Sequence, residues 1–401
     1  SSRKGKNMEE KIKLGVVGLG NMGSSHLAYL KDMENIQVVA VCDILKNRAD
    51  AMAEQYDADA YYSHEDMFAK ATLDAVIIAT PHFSHTPITV HAFQKGLHVL
   101  CEKPIAVHVD DAKRMLEAYE KAKLKNPHLI FGMMFQERTA PHFIKIKDIL
   151  TSGELGRLTR VTWINTHWFR SQAYYDSGGW RATWAGEGGG ILTNQCPHNL
   201  DMYNWLFGLP KTVDGFAHIG KFHNIEVEDE VTAYFEHEDG MIGHFIVCTG
   251  ECPGVNRLEI VGENGTLLYQ DQKLIFYKNR QSMITYCKES TRIFGTVENW
   301  ETKIPIDYSK PQSHRTVTEH FAAGILKGNQ SELIATGNEG LNPVMLANAI
   351  MLSSFERHRV ELPLDGADYA KWLEKLAKNS RLLKPKTKNN DKIADLSDSA
   401  N

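Results

Sequence analysis

Long apolar runs are missing from this sequence. No stretch reaches the roughly 18–20 residues of a membrane span, so no transmembrane helix is expected. There is no cationic excess either. Lys and Arg number 45 against 50 Asp and Glu, a formal charge of −5, which argues against a general nucleic-acid binder. Cysteine is sparse: six residues, none in a C-x-x-C pair. That excludes a disulfide framework and reads as free thiols in a reducing cytoplasm. Cys248 and Cys252 lie four apart with no partner set around them, so no metal is expected. No signal peptide, internal repeat or low-complexity core segment is visible. An apolar fraction of 42% excludes wholesale disorder, and 401 residues at about 150 per domain suggest two or three domains.

The first 135 residues alternate short apolar runs with helical patterns. Strands are predicted over residues 12–18, 38–42, 75–80, 97–100 and 129–133, and helices over 24–33, 46–56, 86–95 and 110–125. The run Ala75-Val76-Ile77-Ile78-Ala79 is continuously apolar, as a strand buried on both faces requires. Strand–helix alternation with short links predicts a doubly wound parallel sheet. After a connecting helix over 141–150, the pattern changes to period two up to Tyr286, with turn signals at Glu238-Asp239-Gly240 and Glu263-Asn264-Gly265. This predicts a large, mostly antiparallel sheet interrupted by one helix over 193–207 and followed by helices over 314–327 and 340–357. Residues 8–135 and 136–383 are expected as two domains, 384–401 as a polar surface tail, and 1–7 as a remnant added for expression.

Gly18-Leu19-Gly20-Asn21-Met22-Gly23 follows the first strand and opens the first helix. Gly18 makes the tight turn, Gly20 lets backbone approach a pyrophosphate, and Gly23 lets helix and strand pack closely. Asp43 ends the second strand twenty residues after Gly23, where a carboxylate accepts both ribose hydroxyls of NAD and repels a 2′-phosphate. Lys46 and Arg48 leave room for NADP. Thr80, His82 and His85 follow the next strand, at the edge where a cofactor lies in such sheets. Glu102-Lys103-Pro104 ends the strand after that and sets a lysine where the nicotinamide is expected. The segment Gly188-Gly189-Gly190 through Asn194 and His198 to Asp201 combines a glycine run with an amide and a histidine at i, i+4, which on one helix share a face.

Together these motifs resemble the Gfo/Idh/MocA oxidoreductases over the chain from Lys11 to about Leu382. The resemblance implies an α/β fold: an N-terminal Rossmann domain and a C-terminal α/β domain with a large open, mostly antiparallel sheet, often used for oligomerisation. It implies that Lys103 contacts substrate and nicotinamide and that His198 is the catalytic histidine. It places Glu102, Gln136, Trp180 and Arg181 near the cofactor, with Arg138, Arg181 and Asn194 near the substrate. Many members have Asp where this chain has Asn194, and an amide cannot take a proton, so His198 is expected as the base. The segment Asn194-Gln195-Cys196-Pro197-His198 is similar to that of glycoside-oxidising members.

The expected function is NAD-dependent oxidation of a secondary hydroxyl of a sugar or glycoside, with C3 the first choice. The alternatives are a redox-neutral NAD-dependent glycosidase, an inositol dehydrogenase, and a non-catalytic NAD-sensing partner protein. Trp168 and Trp184, in an aromatic-rich stretch from 167 to 188 expected as a loop, are candidates to stack on the sugar. A cytoplasmic homo-oligomer is expected, paired through the C-terminal sheet.

Overall fold

The computed structural model describes residues 11–381, so the expected added leader and polar tail lie outside the described residues. The chain divides into two compact units. The first opens with six strands and five helices: β1 (Ile12–Val17), α1 (Asn21–Leu30), β2 (Ile36–Cys42), α2 (Lys46–Tyr56), β3 (Asp59–Tyr61), α3 (His64–Lys70), β4 (Ala75–Ile78), α4 (His85–Gln94), β5 (His98–Cys101), α5 (Val109–Lys123) and β6 (Phe131–Met133). The strands pair in parallel in the order β3-β2-β1-β4-β5-β6. The order reverses direction between β1 and β4, and ligands of such sheets bind outside the strand carboxyl ends at that point. β4 is buried at all four positions, matching its continuous apolar sequence.

Most of this was legible in the periodicity. The short β3 and α3 were not. β3 is three residues of Asp-Ala-Tyr on the sheet edge, too short to carry a period. α3 is set by the Ser63 cap, whose hydroxyl accepts from the Asp66 N–H, rather than by an apolar stripe. α1 begins at Asn21, three residues earlier than expected, because the glycine turn leads straight into it.

The second unit opens with α6 (Pro141–Ser152), β7 (Leu158–Asn165), α7 (Gln172–Asp176), α8 (Pro197–Phe207), β8 (Thr212–Ile219), β9 (Glu228–Glu236), β10 (Ile242–Cys248), β11 (Asn256–Gly262), β12 (Gly265–Gln270), β13 (Lys273–Asn279), α9 (Met283–Glu289) and β14 (Asn299–Ile304). The chain continues with α10 (His314–Lys327), α11 (Leu341–Glu356), β15 (Val360–Glu361) and α12 (Ala367–Lys378). Nine strands form one sheet, β14-β13-β12-β11-β7-β10-β9-β8-β15, antiparallel except for β7 with β10. Alternation along the strands buries one face: Val161, Trp163, Phe235, Phe245, Leu258, Ile260, Leu267 and Phe276. Phe143 of α6 packs on Trp163, and Tyr203 of α8 packs on Phe235 with ring centroids 5.0 Å apart. The other face, with Arg160, Thr162, Ile164, His244, Ile246 and Leu268, is half-buried.

The domain reading along the sequence needs one correction. Gln136 closes the first stretch of the first unit and Glu137 opens the second unit, but Ser313–Leu341 returns to the first. The reason is visible in α10. Its Val317, Phe321 and Ala322 enter the core built on Ile12, Leu14, Leu27, Ile77 and Ile130.

A Cβ on Gly23 would lie 1.9 Å from the carbonyl oxygen of Gly18, a backbone atom that cannot yield without opening the β1–α1 turn. Gly23→Ala is therefore expected to cost about 1–3 kcal/mol, with a melting temperature lower by several degrees and weakened NAD binding. A thermal melt and an NAD titration of the variant check this; a variant matching the parent in both contradicts it.

Candidate active site

In the first unit the chemistry gathers at the carboxyl ends of β1, β2, β4 and β5. Gly18 has φ +90°, and a Cβ there would sit 2.5 Å from the Ala79 carbonyl oxygen, so only glycine makes this turn. Gly20 caps α1 without a side-chain hydrogen bond, so the first-turn N–H groups near Asn21 and Met22 face no capping side chain. The Asp43 carboxylate accepts from the Leu19 N–H at 3.0 Å and the Leu45 N–H at 2.8 Å, bracing the glycine turn against the end of β2. Arg48 lies 3.5 Å from the same carboxylate. A glycine turn, a bare helix start and a braced carboxylate are what a dinucleotide pyrophosphate and ribose require, so the residues present fit NAD.

Beyond β4, His85 is fully buried. Its Nδ1 lies 2.8 Å from the Pro104 carbonyl oxygen and its Nε2 2.9 Å from that of Thr80. Burial lowers its pKa, and both ring nitrogens face protein carbonyls. The sequence pointed to His85 as a cofactor contact; its ring instead ties the end of β4 to the turn after β5. His82 is buried beside it, ring centroids 6.1 Å apart. The Thr80 hydroxyl oxygen is buried with no hydrogen-bond partner among the described residues.

After β5, Glu102 and Lys103 are both buried. The Glu102 Oε1 lies 2.7 Å from His26 Nε2, and its Oε2 accepts from the Lys103 N–H at 3.3 Å. Burial pushes the Glu102 pKa up. The hydrogen bond and charge of His26, with smaller help from His314 and Lys103, outweigh that and hold it at about 2. Gln136, after β6, is buried as well.

In the second unit Asn194 and His198 do not share a helix. Pro197, which has no N–H to donate, opens α8, and Asn194 lies in the turn before it. Backbone bonds from Asn194 N to Gly190 O and from Gln195 N to Ile191 O give that turn a nearly helical winding. The i, i+4 spacing therefore joins a helix to its lead-in turn. His198, second in α8, and Asn194 are both buried.

Two carboxyl groups hold this turn, and the sequence reading missed both. Glu187 accepts from the Asn194 side-chain N–H through Oε2 and from the Ala182 N–H through Oε1, at 2.7 Å in the latter case. Ala182 has φ +53°, a conformation L-residues rarely adopt, so the carboxylate holds a strained backbone in place. Glu228, fully buried, accepts from the Gly190 N–H at 2.8 Å and the Leu192 N–H at 3.2 Å. A Cβ on Gly190 would lie 2.1 Å from the Glu228 carbonyl oxygen, which fixes glycine there. The usable signal was an acid next to a glycine run whose amides need acceptors, together with the acids Glu228-Asp229 that open the alternating strand β9.

The aromatic-rich stretch is less exposed than expected. It contains α7, capped by the Ser171 hydroxyl. Trp184 is buried, 6.2 Å from Phe355, so it offers no face to a sugar. Tyr175 packs 4.6 Å from His223. Trp168 and Trp180 are half-buried and Phe169 is exposed. The Arg181 guanidinium lies 4.5 Å from the Trp180 ring and 4.2 Å from that of Tyr174, and donates to the Tyr174 hydroxyl at 2.7 Å. Arg138 makes a two-pronged bond to Asp201, at 2.9 and 2.7 Å, with both side chains buried. Trp205 lies over it at 5.5 Å. This guanidinium anchors α8, a role that its expected place beside the substrate did not include.

Residues 12–126 match the model of the oxidoreductase family, NAD-binding Rossmann fold, and residues 143–268 that of the GFO/IDH/MocA C-terminal domain. The chain belongs to the Gfo/Idh/MocA oxidoreductases, and its first unit is their NAD-binding domain. It is similar to the inositol 2-dehydrogenase of Salmonella typhimurium, 34% identical over 149 residues, or 36% of this chain. The alignment spans 43% of that enzyme, less than half its length. The inositol 2-dehydrogenase of Corynebacterium glutamicum is 28% identical over 246 residues, 59% of this chain and 66% of that one. Among solved structures, the WlbA dehydrogenase of Bordetella pertussis, crystallised with NADH and UDP-GlcNAcA, superposes with a TM-score of 0.73 at 26% identity, covering 90% of this chain and all of that one.

Burial raises the Glu228 pKa from 4.5 to about 7, against the hydrogen bonds it accepts. In the folded chain Glu228 keeps its proton between these values, where the unfolded chain releases it. Its contribution to stability is therefore full below about 4.5 and is lost as pH rises toward 7. Glu228→Gln keeps the acceptor oxygen and cannot ionise. The variant's melting temperature relative to the parent is expected to be higher at pH 8 than at pH 5. An equal difference at both pH values contradicts the assignment.

Proposed function

We propose that the chain is an NAD-dependent dehydrogenase that oxidises a secondary hydroxyl of a sugar or polyol. The observation that carries this reading is the NAD-fitting turn of the first unit, Gly18 at φ +90° with Asp43 braced on the Leu19 and Leu45 N–H groups, and in the same unit the buried Lys103 at the end of β5; in the second unit His198 is buried in the first turn of α8. Bound NAD supplies the hydride acceptor. His198 takes the hydroxyl proton through a ring nitrogen as the carbon gives up hydride. Lys103 donates a hydrogen bond to the same oxygen and stabilises its growing negative charge. Asn194, oriented by Glu187, holds a neighbouring hydroxyl. Asp43 receives the adenosine ribose hydroxyls and disfavours a 2′-phosphate. Trp168, Trp180 and Arg181 border the sugar.

Among sugars we take a hexose or hexoside with oxidation at C3 as first choice, supported by the Asn194-to-His198 segment. The names of the inositol 2-dehydrogenase relatives support a cyclitol as the second reading. We further infer that copies pair through the half-buried face of the nine-stranded sheet.

The test is to incubate the protein and NAD with glucose, alkyl and aryl glucosides and myo-inositol, following NADH and locating the new carbonyl by NMR. A 3-keto hexose or hexoside supports the first reading, and exclusive turnover of myo-inositol supports the second. Aglycone release without net NADH contradicts both. His198→Asn is expected to lose about 10²–10⁴-fold in kcat while still binding NAD. Near-normal turnover removes His198 from the chemistry.

A further inference from the structure

α1 does more than present its first turn. His26, three residues after Gly23, points into the unit interior and is fully buried. Its Nε2 meets Glu102 at 2.7 Å, and its Nδ1 lies 2.5 Å from the Tyr29 hydroxyl. That hydroxyl lies 2.7 Å from the Thr318 hydroxyl on α10. The His314 ring stands edge-on to His26 at 5.6 Å.

A buried carboxylate is retained only where it is paired and hydrogen-bonded, because the interior solvates charge poorly. Glu102 is ionised, so both its oxygens can only accept, and His26 Nε2 must donate to it. The second oxygen accepts the backbone N–H of Lys103 itself. One carboxylate thus links the helix that starts at the glycine turn to the backbone of the lysine. On the other side of Lys103, the Pro104 carbonyl lies against the His85 ring.

We infer that His26 is a positioning residue for Lys103, acting through the Glu102 carboxylate. The inference rests on the proposed role of Lys103. Without the Nε2 donor, Glu102 has a buried charge facing no partner on that side. It takes up a proton or turns away, and the turn bearing Lys103 loses both its grip and its neighbouring negative charge.

The experiment uses the full chain with 13C-labelled lysine, the Lys103 signal being assigned with Lys103→Arg, and two variants. His26→Gln keeps an N–H donor near the Nε2 position; His26→Met keeps bulk without a donor. In His26→Met the Lys103 titration midpoint is expected to fall by about one unit. Its kcat on the substrate identified above is expected to fall by roughly 10–100-fold, with KM for NAD within about threefold. His26→Gln is expected to stay within about threefold of the parent in kcat, with the parent Lys103 titration. Two results overturn the inference: a Met variant that is only less heat-stable, with kcat and Lys103 titration unchanged, or a Gln variant as impaired as the Met variant. If the Met variant does not fold, Glu102→Gln removes the charge at constant shape and is read in the same two ways. If the parent turns over no sugar or polyol, the dehydrogenase reading fails, and the Lys103 titration, measured without substrate, still decides the positioning role.

Discussion

Buried carboxyl groups that accept backbone N–H bonds hold together the irregular parts of this protein. Asp43 takes the amides of Leu19 and Leu45, Glu102 that of Lys103, Glu187 that of Ala182, and Glu228 those of Gly190 and Leu192. Asp229 takes three in succession, from Lys221, Phe222 and His223. Each of these segments lies outside a helix or strand, so its amides have no ladder partner and need another acceptor. A carboxyl group is suited to the task because its oxygens accept several bonds from different directions, and where it is ionised, as Glu102 is, the bonds are charge-assisted and stronger. Turns of glycine and strained alanine thereby gain definite positions that backbone preference alone does not provide.

The two units use this device around different scaffolds. In the first, parallel strands end together, and the turns after β1, β2, β4 and β5 collect at one sheet edge. In the second, a wide sheet buries one face under helices, and α8 carries His198 at its start. The Arg138–Asp201 pair fixes that helix from below, with Trp205 lying over the guanidinium. Removing one member alone breaks a buried, two-pronged ion pair, a loss of about 3–5 kcal/mol.

Elements with a strong pattern were legible in the sequence: β4 as a continuous apolar run, and α2, α5, α10 and the alternating strands of the large sheet by their period. The glycine turn and Asp43 stood out in the sequence because a fixed motif spacing, not a period, marks them. What escaped was set by tertiary partners. The return of Ser313–Leu341 to the first unit depends on Val317 and Phe321 meeting a core far away in sequence. Glu187 and Glu228 have no period and no motif; their meaning lies in the amides they face. Trp184 looked like a ligand-stacking residue because composition cannot tell an aromatic loop from an aromatic core. His85 looked like a cofactor contact because its strand-end station is right, while its ring is turned to two protein carbonyls.

The central claim is direct hydride transfer from a sugar or polyol carbon. Its most direct measurement uses substrate carrying deuterium on the carbon that becomes the carbonyl. The account predicts that the deuterium appears at C4 of the nicotinamide in the NADH formed, on one face only, seen by proton NMR. Deuterium kept in the sugar product or lost to water would contradict it.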